Sequence, residues 1–273
     1  GSLAVASLNQ GQLQQPVFYD IYDLANRVEP APNPPVGIKK YLSQGGGMAL
    51  TDANWEVEFS QSAQNYINLT QETELPPINT VIGVSLEFVE DLLKAAGPVQ
   101  LIDSNQTVYA DNLAQLARQD REGFFAGDKR KKLFLQELYS ALKQKLTNLS
   151  LEQQLAVIQA ISSNIQKKNL QYFASDPELQ QRFIDYEAAG VINTHTDFFL
   201  YLPESNVGIN KANSNVSREV SISLQPELLT ISIIFFNNNQ PLSSQQLEVI
   251  RNNPVLLQAE HMVYINYQRV VTN

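Results

Sequence analysis

Thr80-Val81-Ile82-Gly83-Val84-Ser85-Leu86-Glu87-Phe88-Val89-Glu90-Asp91-Leu92-Leu93-Lys94-Ala95-Ala96-Gly97-Pro98-Val99-Gln100-Leu101-Ile102 is the stretch in which the sequence speaks most clearly about its fold. Thr80 to Val84 is a β-branched run suited to a strand. Ser85 is a natural N-cap, because its hydroxyl can accept from an orphan amide of the first turn. Leu86, Val89, Leu92, Leu93 and Ala96 then recur at helical spacing. Gly97-Pro98 ends that helix, and Val99 to Ile102 resumes as a strand. A strand, a helix and a strand in succession predict a compact β-α-β unit with a short parallel crossover.

Toward the N-terminus, Leu3 to Leu8 and Val17 to Leu24 read as strands joined around Asn9-Gln10-Gly11-Gln12, a β-hairpin. Glu29-Pro30-Ala31-Pro32-Asn33-Pro34-Pro35 is an extended loop, since proline fixes φ and lacks a donor. Gly45-Gly46-Gly47 reads as a loop hinge rather than a phosphate cradle. Toward the C-terminus, helices are expected to start near Asp111, Asp128, Ser150 and Ser175, with capping boxes at Ser150/Gln153 and Ser175/Glu178. Phe134, Leu138, Leu142 and Leu146 form one core stripe.

Beyond Gly190 the period changes to two, with strands expected at Asp197 to Leu202, Arg218 to Leu224, Leu228 to Phe236 and His261 to Val271. The fold expectation is therefore an α/β domain over residues 1–190, followed by a smaller antiparallel β-sandwich-like domain over residues 191–273. A strand running to the last residues predicts a truncated sheet edge there.

Composition narrows the function classes. A chain of 273 residues with 43% hydrophobic and 9% aromatic residues is a globular protein long enough for two domains. The formal charge of -9 argues against a nucleic-acid surface, which needs clustered cations. The absence of cysteine removes disulfides, thiolate nucleophiles and Cys-based zinc sites. No run approaches the roughly 20 apolar residues that span a bilayer. The opening Gly1-Ser2 has no signal pattern, so the chain reads as an excised piece whose anchor would lie elsewhere.

His195 and His261 are isolated and read as structural. No G-x-S-x-G, P-loop or G-x-G-x-x-G motif is present. Asp20, Asp23 and Asp52 fall near strand ends, where one or two carboxylates and phosphate oxygens can hold Mg²⁺, or where they simply form turns. Lys129, Arg130, Lys131 and Lys132 open a helix, an electrostatically unfavourable place for cations unless an anion shares it. With Arg118 and Arg121 they form the one basic cluster of an acidic chain, and a solvated charged face is the ordinary alternative. Asn206-Val207-Gly208-Ile209-Asn210-Lys211 is a candidate ligand-facing loop, through Asn210 and Lys211, or a purely structural one.

Several of these segments carry a resemblance. Tyr19-Asp20-Ile21-Tyr22-Asp23-Leu24, Leu50-Thr51-Asp52-Ala53-Asn54-Trp55, Val81-Ile82-Gly83-Val84, Leu92 to Val99 and Asn206 to Lys211 resemble, in order and spacing over residues 1–225, a bacterial surface family. That family is catalogued as a domain of unknown function behind a transmembrane helix. It is in turn distantly similar to the LytR-CpsA-Psr phosphotransferases, which move glycopolymers from polyprenyl-pyrophosphate carriers to peptidoglycan.

The resemblance implies an extracytoplasmic protein, anchored at the cell surface, with a LytR-CpsA-Psr-like mixed sheet. It also implies a pyrophosphate site held by Arg118, Lys129 and Arg130, with Asn54 resembling the Asn of the family's K-I-N-A motif. Position in the sequence adds Asp52 as a catalytic candidate beside Arg118, Asp20 and Asp23 as candidates near a Mg²⁺, and Asn210 and Lys211 as binding candidates. Where those enzymes have an Arg-Asp pair after the second strand, this chain has Tyr19-Asp20-Ile21-Tyr22-Asp23. Two functions follow as expectations. One is a phosphotransferase or binder of a lipid-linked glycopolymer. The other is a non-catalytic surface or assembly module that binds wall polymer or a partner protein.

Overall fold

A computed structural model describes residues 2–43, 46–71, 73–117, 130–192, 200–207, 215–225, 228–239, 243–245, 248 and 266–272. The chain divides into two compact units, Gly1–Lys39 with Gly45–Ile192, and Lys40–Gln44 with Asn193–Asn273.

The first unit opens on a hairpin. Strand β1 (Ser2–Val5) pairs antiparallel with β4 (Val17–Asp20), and β2 (Leu8–Asn9) pairs with β3 (Gln12–Leu13) nearer the turn. Gln10 and Gly11 both take positive φ, 50° and 78°, as a two-residue hairpin turn requires. The second strand stops at Asp20 instead of running to Leu24. The reason is local: Asp20 Oδ1 accepts from the Tyr22 amide at 2.8 Å, which caps α1 (Ile21–Ala25) and turns Ile21 and Leu24 inward together.

The proline segment is held at Ala31, which exchanges backbone hydrogen bonds of 2.9 and 2.8 Å with Met48. A Cβ on Gly47 would lie 2.5 Å from the Ala31 carbonyl oxygen, so this glycine permits a close approach. A 3-10 helix, Leu50–Trp55, follows and buries Leu50, Ala53 and Trp55. It packs on α1 and on α2 (Phe59–Thr70), whose inner positions are Ala63, Ile67 and Thr70.

Strand β5 (Thr80–Val84), helix α3 (Leu86–Ala96) and strand β6 (Val99–Leu101) stand where the sequence puts them. Ser85 Oγ accepts from the Phe88 amide at 3.2 Å, and Gly97 closes the helix at φ 88°. The pairing differs from expectation. β5 runs antiparallel to β8 (Leu170–Ala174), while β6 folds back on β7 (Gln106–Val108), so no parallel crossover forms between them.

Helices α4 (Leu113–Leu116), α5 (Arg130–Leu146), α6 (Leu151–Gln166) and α7 (Pro177–Asp185) complete this unit. The capping box at Ser150 and Gln153 is present in full. At α7 the cap is Asp176, whose Oδ1 accepts from Leu179 N at 2.8 Å, whereas the Ser175 amide donates to Asn79 O. Proline at the first helical position explains the shift, since the residue before it becomes the cap.

The main core joins Leu93 of α3, Leu101 and Val108 of the β6–β7 hairpin, Leu113, and Leu138 and Leu142 of α5. Each such side chain stabilises by about 1.5–3 kcal/mol on burial. Leu146 departs from the expected stripe and is 37% exposed. Fully buried Asn164 on α6 donates to Asp91 Oδ2 and Ala160 O and accepts from Asn169, which ties α3, α6 and the start of β8.

In the second unit every described strand sits in a two-stranded antiparallel pair. β9 (Leu200–Tyr201) pairs with β14 (Val271–Thr272), β10 (Glu204–Asn206) with β13 (Asn266–Gln268), and β11 (Val216–Gln225) with β12 (Leu228–Asn237). Arg218 forms an ion pair with Glu204, and the Tyr41 and Tyr267 rings lie 5.5 Å apart. The fold is thus a mixture of helix and strand with small antiparallel ladders. Among the described residues no helix is long and apolar enough to cross a membrane.

Candidate functional site

The acidic and basic candidates of the first unit lie on neighbouring elements. β4 ends at Asp20, α1 follows it and packs on both β4 and the 3-10 helix that carries Asp52, and α5 packs against β4. At the β4–α5 contact, Phe18 meets Tyr139 edge to face at 6.2 Å. Beside it the Lys132 ammonium lies 6.0 Å from the Tyr19 ring centroid. The cationic start of α5 therefore adjoins the strand end that carries Asp20.

Asp20 is already engaged as the cap of α1, and Asp23 is exposed on the first turn of that helix. Asp52 is partly buried, and loss of solvent raises its pKa above the ordinary carboxylate value. Helix α2 packs against this segment and contains no Lys or Arg, so it brings no cation to offset that loss. What α2 does bring is Tyr66, whose pKa is raised first by burial and then by the Asp52 charge. Asn65 of the same helix donates to Ala53 O at 3.4 Å and holds the 3-10 segment in place. Asn54 is exposed at a kink in that segment, with φ -88° and ψ 23°.

Chemically, Asp52 is a carboxylate that holds a proton more tightly than an exposed one, beside the phenol of Tyr66. The α5 start supplies positive charge for an anion. Among the described residues no three His, Cys, Asp or Glu side chains converge as a metal site.

Arg118, Lys129, Asn210 and Lys211 lie outside the described residues, as do His195 and His261. Arg130 opens α5, but its side chain is outside them too. Reading the sequence alone misses Tyr66 and Asn65. Their helix was legible in the spacing of Phe59, Ala63, Ile67 and Thr70, whose period of about four marks a buried face.

No curated protein and no solved structure matches the chain. Residues 1–121, which include Asp20, Asp23, Asp52, Asn54 and Tyr66, match the family described as "Protein of unknown function (DUF4012)", so this part of the chain is similar to a domain of unknown function.

Proposed function

We propose that the chain is an extracytoplasmic cell-envelope protein whose first unit engages the pyrophosphate of a polyprenyl-linked glycopolymer. The observation that carries this reading is the packing of the cationic α5 start against the end of β4, with Lys132 beside Tyr19 in a chain of net charge -9. Cations concentrated at a helix N-terminus repel its dipole, and a bound phosphate relieves that repulsion. Arg118, Lys129 and Arg130 join Lys132 around the phosphates in this reading. Asn54, exposed on the neighbouring segment, offers an amide to the head group.

In the transfer form of this function, Asp52 accepts the proton of the acceptor hydroxyl, with Tyr66 beside it. The LytR-CpsA-Psr-like arrangement, the sandwich-like second domain and a membrane anchor elsewhere in the protein belong to the same proposal.

Isothermal titration of the protein with a polyprenyl-pyrophosphate analogue, with and without Mg²⁺, tests it. Saturable binding is expected, and no heat at millimolar ligand would overturn it. A second reading, a non-catalytic assembly module, is favoured by the engagement of Asp20 as a helix cap and by the apolar β11–β12 ribbon. Binding of the analogue with no turnover of a lipid-linked polymer would select that reading.

A further inference from the structure

We draw no further inference here: the strongest candidate, the apolar face of the β11–β12 ribbon of the second unit, where Val220, Ile222 and Leu224 stand opposite Ile233, Ile231 and Leu229, is a sheet face unpartnered among the described residues, and nothing in the structure shows what covers it.

Discussion

The helical core of the first unit and the β11–β12 ribbon of the second bury their apolar residues to very different degrees. Leu93, Leu101 and Leu113 are at most 2% exposed, whereas Leu224 and Leu228 are 80% and 57% exposed. Both regions obey their own periodicity, 3.6 in α3 and 2 in the ribbon. The difference is in what covers the apolar face. Helix α3 packs on α6, and α5 packs on the β6–β7 hairpin, within one shared core, while among the described residues the ten-residue strands of the ribbon meet chiefly each other. A hydrophobic pattern therefore specifies a face without specifying its partner, and a lone two-stranded ribbon gains little stability from its own pattern.

The largest expected effect is in the core. Leu93→Ala should cost about 2–5 kcal/mol, because the site is closed on all sides and cannot collapse fully. Urea denaturation read by circular dichroism measures it. A loss as small as that of a surface substitution would remove the contrast between the two regions.

Next comes Gly190→Ala. This glycine has φ 64°, and an added Cβ would meet Gln171 Oε1 and lie 2.9 Å from Phe59 Cβ. Backbone strain and the clash together should cost about 1–3 kcal/mol. Gly83→Ala directs a Cβ to 2.7 Å from the Phe59 ring, with a smaller expected loss because the ring can tilt. If both variants melt like the parent protein, Phe59 is not seated against these glycines.

Capping gives a smaller and sharper comparison. Asp176→Ala should cost about 1 kcal/mol through the lost hydrogen bond to Leu179 N. Ser175→Ala should change stability by less than about 0.5 kcal/mol, since the bond that Ser175 makes to Asn79 comes from its backbone amide. The reverse order of effects would restore Ser175 as the cap.

Asp52→Asn should slightly raise the melting temperature at pH 7. The sign follows from linkage: a folded-state pKa raised above its unfolded value favours the protonated fold. The ionised carboxylate thus destabilises once pH rises through the folded pKa, and the penalty vanishes below the unfolded pKa. The difference between variant and parent should accordingly disappear in acid. Tyr66 should then titrate at lower pH than in the parent, yet still above an ordinary tyrosine, because burial is the larger cause of its shift. Ultraviolet titration of the phenol checks this.

The smallest expected effect is in the ribbon, where Leu224→Ser should move stability by less than about 0.5 kcal/mol. A loss of several kcal/mol would mean that this face is covered within the protein.

Much of the element order was legible because its signals are local. Ser85 and Gly97 bracket α3, Gln10-Gly11 makes the hairpin turn, and Ser150 with Gln153 boxes α6. Pairing partners were not, because they are set by distant chain. β5 finds β8 about ninety residues on, where a parallel crossover to β6 looked sufficient. The β6–β7 hairpin did have a local signal in Asp103-Ser104-Asn105, with Asn105 at φ 51°, a turn composition that competes with strand continuation. Asp20 shows the same limit at a candidate site residue. Its position beside alternating apolar residues suggests a strand, and only its hydrogen bond to Tyr22 N reveals a cap. Asp52 was legible as a carboxylate near a strand end, but its altered proton affinity depends on a helix that the spacing of candidate motifs did not include.

Amide hydrogen exchange of the intact chain, with and without a polyprenyl-pyrophosphate analogue, shows whether the first unit engages a pyrophosphate. Slowed exchange is expected in peptides from Val17–Asp20 and Ile21–Ala25, Leu50–Trp55 and the first turns of Arg130–Leu146, with Val216–Gln225 and Leu228–Asn237 unchanged. Protection confined to the ribbon, or no protection anywhere at saturating analogue, would contradict it.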